Sequence, residues 1–202
     1  MDFIMPEWKK SERILLRNVL FCLVTALLPL QPLPCTAETP GINIRDVNGR
    51  VIDGTYVINA DIEYHFSAET EKALKHGVPL QFNTTVTVKK QRRWLWDKTM
   101  STIVLKYRLQ YHPLSGYYLM TTMNDDEYRQ FKTLSDVMEF LGKMKNQPLL
   151  SRDVLVAEAG KFYGRIRVRL DIQSLPVPLR PLAYISRQWR LASPVYSWSI
   201  QL

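Results

Sequence analysis

Apolar and polar residues alternate along most of the chain, with the two-residue period of a half-buried β-strand. One face of the segment 58–66 is apolar throughout: Ile58, Ala60, Ile62, Tyr64 and Phe66. The same alternation recurs over residues 80–88, 103–111 and 162–171. Short segments of this kind predict antiparallel strands that have one face in a core and the other in solvent.

Two segments have helical signals instead. Ser67 can cap a helix over residues 67–77, which Gly77 and Pro79 would end. Thr133 can cap a second helix over residues 133–148, whose apolar stripe has helical spacing: Leu134, Val137, Met138, Leu141 and Met144. We expect this stripe to pack on the sheet.

Turn dipeptides separate the predicted strands, and they occur at Asn48-Gly49, Asp53-Gly54 and Ser115-Gly116. A proline-rich crossing at 175–184 leads to a final strand. The pattern predicts a mainly β fold (β-rich α+β): an antiparallel sheet or a two-sheet sandwich with two short helical insertions.

The first 37 residues have the layout of a secretory signal peptide. An uncharged apolar run at 19–30 is followed by the small residues Cys35 and Ala37, and four cations precede it: Lys9, Lys10, Arg13 and Arg17. We predict cleavage after Ala37 and a single β-rich domain over 38–202. The alternative is a retained anchor, although the run is shorter than the ~20 residues that span a bilayer.

If the segment 1–37 is removed on export, the composition of the remaining chain decides which partners are expected. The segment 1–37 holds both cysteines, four of the 27 basic residues and three of the 19 acidic ones. The remaining chain therefore has no disulfide and a net charge of +7, from 23 basic and 16 acidic residues. Such a surplus favours anionic partners in the periplasm or outer envelope, namely lipid headgroups or cell-wall polymer, rather than nucleic acid.

Two rows of cations alternate with apolar residues on predicted strands: Arg165, Arg167 and Arg169 on one, Lys106 and Arg108 on another. At strand spacing the first row is ~13 Å long. Two interpretations stay open. Asp61, Glu63 and Asp171 interleave with the cations and neutralise the face through ion pairs, or the face stays positive and binds an anionic surface.

The stretch RRWLWDK, residues 92–98, places Arg92 and Arg93 beside Trp94 and Trp96. If the stretch is a strand, the two tryptophans lie on one face. Packing of both in the core is the preferred interpretation. A ligand-binding aromatic platform and a membrane-interface belt are the alternatives.

Asp61, Glu63 and His65 share a strand face and are the only candidate metal ligands of interest. Consecutive members lie ~7 Å apart along a strand, so a solvated polar face is the preferred interpretation. The chain has no Gly-x-Ser-x-Gly elbow, His-Glu-x-x-His helix, P-loop or dinucleotide fingerprint. We therefore predict no enzyme and no cofactor, with a metal-dependent hydrolase as a remaining alternative.

Four motifs occur in a fixed order: HGVPL at 76–80, RRWLWD at 92–97, LDIQSLPVPLRP at 170–181, and WRLAS followed by YSW at 189–198. With the signal peptide they resemble the proteobacterial "domain of unknown function 4390" family over essentially the whole remaining chain, residues 39–198. The resemblance implies an exported or envelope-associated protein, without a known activity, cofactor or catalytic residue. In that family a neighbouring gene often encodes a membrane sensor kinase.

From these features we expect an exported, non-catalytic binding or accessory module, with a membrane sensor protein as one candidate partner. The alternative is a peripheral binder of anionic lipid or cell-wall polymer through the basic sheet face.

Overall fold

The computed structural model of the chain describes residues 40–124, 127–158 and 160–201. The predicted signal peptide lies outside these residues, so its cleavage and the exported location stay predictions. The described strands are β1 (Gly41–Ile52), β2 (Thr55–His65), β3 (Leu80–Lys90), β4 (Lys98–His112), β5 (Tyr117–Thr122), β6 (Glu127–Phe131), β7 (Lys143–Ser151), β8 (Phe162–Leu170) and β9 (Tyr196–Ile200). The described α-helices are α1 (Ala68–Lys75), α2 (Leu134–Gly142), α3 (Arg152–Ala157) and α4 (Arg180–Ile185).

These strands form two antiparallel sheets, one with the order β1-β2-β7 and one with the order β6-β5-β4-β3-β8-β9. Their inner faces share one hydrophobic core. Phe82 of β3 lies at this contact, with its ring centroid 5.5 Å from those of Tyr64 and Phe66. The β-rich α+β fold is thus confirmed, and of the two predicted arrangements it is the two-sheet one.

The predicted alternation decides which side chains enter the core. Ile58, Leu109 and Ile166, from three different strands, are fully buried. Between the buried residues of β8, Arg167 and Arg169 are exposed. One-sided burial of this kind is what the two-residue period predicts for an antiparallel sheet.

Two of the three turn predictions are confirmed. Asp53 and Gly54 have φ of +47° and +72° and join β1 to β2, as a primed hairpin turn requires. Gly116, with φ +72°, lies in the turn between β4 and β5.

The turn predicted at Asn48-Gly49 is wrong, because β1 continues through both residues. A Cβ at Gly49 would lie 1.8 Å from the hydroxyl oxygen of Tyr56. Gly49 therefore serves to make room for the Tyr56 ring rather than to reverse the chain.

Both predicted helix starts are confirmed. Ser67 Oγ accepts a hydrogen bond from the Thr70 amide at 3.0 Å and caps α1. Thr133 Oγ1 accepts one from the Asp136 amide at 3.1 Å and caps α2. In each case the side chain satisfies a backbone donor that has no partner within the helix.

The predicted length of the second helix is wrong, and two further helices were not predicted. α2 ends at Gly142, and the following residues pair with β2 as β7. Met144 is therefore buried in a strand, not in a helical stripe. α3 follows β7 directly, and α4 forms inside the proline-rich crossing because Pro181 stands in its first turn, where no amide donor is needed.

Candidate anion-binding surface

Five predicted cations lie on the outer face of the six-stranded sheet, and we call this surface the basic face: Lys106, Arg108, Arg165, Arg167 and Arg169. β3 lies between β4 and β8, and its Asn83 is directly opposite both Lys106 and Arg169. Directly opposed residues point to the same side of a sheet. The structure thus brings together two rows of cations that lie about 10 Å apart, two strand spacings.

Of the three acids that were expected to neutralise this face, Asp61 and Glu63 lie elsewhere, and Asp171 lies at its edge beside Asn83. Asp61 and Glu63 belong to β2 in the other sheet, where Glu63 forms an ion pair with Arg45. Asp171 follows the end of β8 and accepts hydrogen bonds from the side-chain amides of Gln81, at 3.3 Å, and Asn83, at 3.2 Å. The interleaved arrangement is therefore wrong for Asp61 and Glu63, because pairing places their strand in the opposite layer.

Neutral side chains separate the two rows. The residues of β3 that face the arginine row across the ladder are Thr87, Thr85 and Asn83. No ion pair joins any cation of the basic face to an acid within the part of the chain that the structure describes. Among the described residues, hydroxyl and amide side chains rather than ion pairs therefore bridge the two rows.

A groove of about 300 Å³ runs along this face. Its lining includes two hydroxyl groups and four cations: Thr85, Thr87, Lys89, Arg165, Arg167 and Arg169. Guanidinium groups bind phosphate or carboxylate oxygens through paired N–H donors, and threonine hydroxyls add further donors. The groove thus has the chemistry to hold an anionic group.

The stretch RRWLWDK lies at the end of this face, but it is not a strand. Residues 91–97 form the loop that joins β3 to β4, and only Lys98 belongs to a strand. Trp94 and Trp96 are each 93% exposed, and Leu95 between them is 68% exposed. The expected packing of both tryptophans in the core is wrong, because the hairpin carries them past the last core residue of β3, Val88.

Hydrogen bonds hold the base of this loop. The Gln91 amide donates to the Lys161 carbonyl at 2.9 Å. Asp97 accepts from the Tyr163 hydroxyl at 2.5 Å and from the Arg92 amide at 3.1 Å. Both bonds lower the pKa of Asp97, the Tyr163 bond more strongly. Its carboxylate therefore joins the loop to β8, the strand that carries the arginine row.

Glu158 forms ion pairs with the two lysines at the base of the β3–β4 hairpin. Its carboxylate contacts Lys98 Nζ at 2.6 Å and Lys90 Nζ at 3.0 Å. Lys90 and Lys98 are cross-strand partners at the two ends of the loop, where like charges would otherwise repel. The hydrogen bonds from Lys98 and Lys90 lower the pKa of Glu158 to about 2. Sequence reasoning missed this residue because no local pattern connects it to a hairpin 60 positions away.

Replacement of Glu158 by Gln is expected to loosen the loop base, since the two lysines lose their shared counter-charge. Amide exchange at Gln91 should become several-fold faster than in the wild type. Because folding lowers the pKa of Glu158, its contribution is present above the unfolded value of 4.5 and is lost as the pH falls through about 2. The difference between the two proteins should be constant from pH 7 to about 5 and should shrink below that.

Glu139→Gln is the matched control, because Glu139 contacts one lysine, Lys143 at 2.7 Å, on another part of the surface. Exchange at Gln91 should not change in this variant. Equal exchange rates in Glu158→Gln and the wild type would contradict the role of Glu158.

The metal candidates lie in a different place. Asp61, Glu63 and His65 line a shallow groove of about 240 Å³ between β2 and α2. The Glu63 carboxylate is already engaged by Arg45. Across the described ranges, no group of three or more His, Cys, Asp or Glu residues is placed to hold a metal ion.

The structure is a two-sheet, β-rich α+β domain with five cations on the outer face of its larger sheet and a tryptophan-bearing loop at the end of that face. The chain matches the family "Domain of unknown function (DUF4390)" over residues 39–199 and belongs to that family. This confirms the resemblance seen in the motifs. No match was found among curated proteins or among solved structures. In the described residues, no helix is both long and apolar enough to cross a membrane.

Proposed function

We propose that this protein is a non-catalytic binding protein of the cell envelope, whose basic face binds phosphate-bearing anionic surfaces. The observation that carries the proposal is that pairing of β3 with β4 and β8 gathers five cations on one face, none of them in an ion pair among the described residues. The predicted signal peptide and the net charge of +7 that remains after it support the same conclusion.

Energetics favour an external counter-anion for this face. The two rows of like charge lie about 10 Å apart across β3, and a bound external anion would relieve their mutual repulsion. A cation near an anionic membrane surface contributes about 1 kcal/mol to binding. The arginine row and the adjoining groove could therefore supply a useful affinity without any deep pocket.

Lipid headgroups and phosphate-containing cell-wall polymers offer this face the same chemistry. The sequence also suggested an accessory module for a membrane sensor protein. None of the described contacts favours that partner over an anionic surface, so it stays a prediction, as does the absence of catalysis.

The test is binding to vesicles of phosphatidylcholine with phosphatidylglycerol and to soluble polyphosphate, as two sources of phosphate. Changing Arg165, Arg167 and Arg169 to Gln should weaken both by more than about tenfold at low salt, because three cations are removed. The residual binding should depend less on salt than that of the wild type.

The matched control removes three exposed cations outside the basic face, Arg50, Lys145 and Arg152, also to Gln. Net charge then falls equally, so any difference between the two variants reports the location of the charges. Equal binding by the two triple variants, or no binding by the wild type, would overturn the proposal.

A further inference from the structure

The exposed tip of the 91–97 loop is the feature that the proposed function leaves unexplained. Its three apolar side chains, Trp94, Leu95 and Trp96, are consecutive and exposed, with both tryptophans at 93%. Isolated exposed apolar residues are common on proteins, but three adjacent large ones at a convex tip mark an interaction site.

Hydrogen bonds at the base of the loop connect it to the sheet. Below the tip, the loop base is fixed by the bonds of Gln91 to Lys161 and of Asp97 to Tyr163. Glu158 adds a contact to the lysines on both flanking strand ends. The base of the loop is thus bonded to the sheet on both sides, while the apolar tip extends into solvent beyond it.

The charges around the tip indicate the kind of partner. Arg92 and Arg93 are exposed immediately before the tryptophans. Lys89 and Arg165 line the groove on the outer face, next to the same end of β3 and β8. Tryptophan prefers the boundary between headgroups and acyl chains, and arginine beside it binds lipid phosphates.

We infer that the 91–97 loop is a membrane anchor, in which Trp94, Leu95 and Trp96 enter the interface of an anionic phospholipid bilayer while the adjacent cations bind its headgroups. The inference rests on the proposed function and narrows it, because a lipid bilayer has an apolar phase and a soluble polyanion has none. A convex apolar tip with a cationic surround suits the bilayer.

The experiment compares the wild type with Trp94→Ala/Trp96→Ala, each purified with its native N-terminus as determined by mass spectrometry. Both side chains are almost fully exposed, so the variant should unfold at the same temperature as the wild type. Its partition to phosphatidylglycerol vesicles should fall by about tenfold or more. Its binding to soluble polyphosphate should not change.

Depth of insertion is read by quenching of tryptophan emission with phospholipids brominated on the acyl chains. The wild type should be quenched on vesicles, and the double variant should lose most of that quenching. Leu114→Ser is the matched control, because Leu114 is 99% exposed in the β4–β5 turn. It should leave both partition and quenching as in the wild type.

The outcomes separate this inference from the proposed function. If the tryptophan variant partitions and is quenched like the wild type while the arginine variant loses binding, the anchor is wrong and the proposed function stands. If the tryptophan variant loses vesicle binding while the arginine variant keeps it, the anchor stands and the role of the basic face fails. Wild-type binding to polyphosphate but not to vesicles would overturn the anchor.

Discussion

Replacement of Phe82 by Ala is expected to lower the free energy of unfolding by about 3–5 kcal/mol. Phe82 is fully buried between the two sheets. Its ring stacks on Phe66 at an interplanar angle of 9° and meets Tyr64 edge-on at 77°, with both centroids 5.5 Å away. The substitution removes both aromatic contacts and leaves a cavity that the surrounding strands can fill only partly. Urea unfolding followed by circular dichroism measures the loss.

Phe140→Ala is the matched control. Phe140 also has an aromatic partner, Phe131 at 5.4 Å, but its side chain is 39% exposed at the surface of α2. The same chemical change should therefore cost under about 1.5 kcal/mol, since solvent already reaches the ring. Equal midpoints for the two variants would show that Phe82 does not hold the sheets together.

The strands were predictable because burial on one face leaves a local record in the sequence. β8 shows this best, since Ile166, Val168 and Leu170 enter the core while Arg167 and Arg169 remain exposed. The period fixes the face of each residue without any knowledge of which strands are neighbours. It therefore predicted the rows of the basic face, but not that β3 would join them into one surface.

Two of the failures have a common physical cause, which is that they depend on residues distant in sequence. Asp61 and Glu63 could be placed on a strand face, but only pairing with β1 and β7 assigns that strand to the other sheet. The role of Glu158 depends on a hairpin about 60 residues earlier. Neither pairing has a local signature in the sequence.

The prediction that Trp94 and Trp96 pack in the core was wrong for a different reason. Alternation continues through Trp94 and Trp96, so the pattern alone extends a strand that in fact ends at Lys90. A two-residue period does not reveal where the opposite layer stops covering a strand. The apolar character of Trp94 and Trp96 favoured a core position. In the structure both lie exposed at the loop tip, because no layer covers the chain there.

β3 connects the core to the candidate surface. Its inner face carries Phe82, its outer face lies between the two rows of cations, and its end begins the 91–97 loop. Long paired strands are rigid, and a site built on them is more precisely placed than one on free loops. The arginine row is therefore expected to have a fixed geometry, and the tryptophan tip extends from the same end of β3.

Gly142→Ala is expected to destabilise the protein by about 3 kcal/mol, although Ala normally favours a helix over Gly by about 1 kcal/mol. Gly142 ends α2, and a Cβ there would lie 2.4 Å from the backbone oxygen of Ile62 in β2. No side-chain rotation can relieve a clash with backbone, so α2 must shift away from the sheet and expose part of the buried stripe around Val137 and Leu141. Thermal or urea unfolding measures the loss, and Ser135→Ala, at an exposed position of α2, should stay within about 0.5 kcal/mol of the wild type. A Gly142→Ala variant as stable as the wild type, or more stable, would show that α2 does not approach β2 this closely.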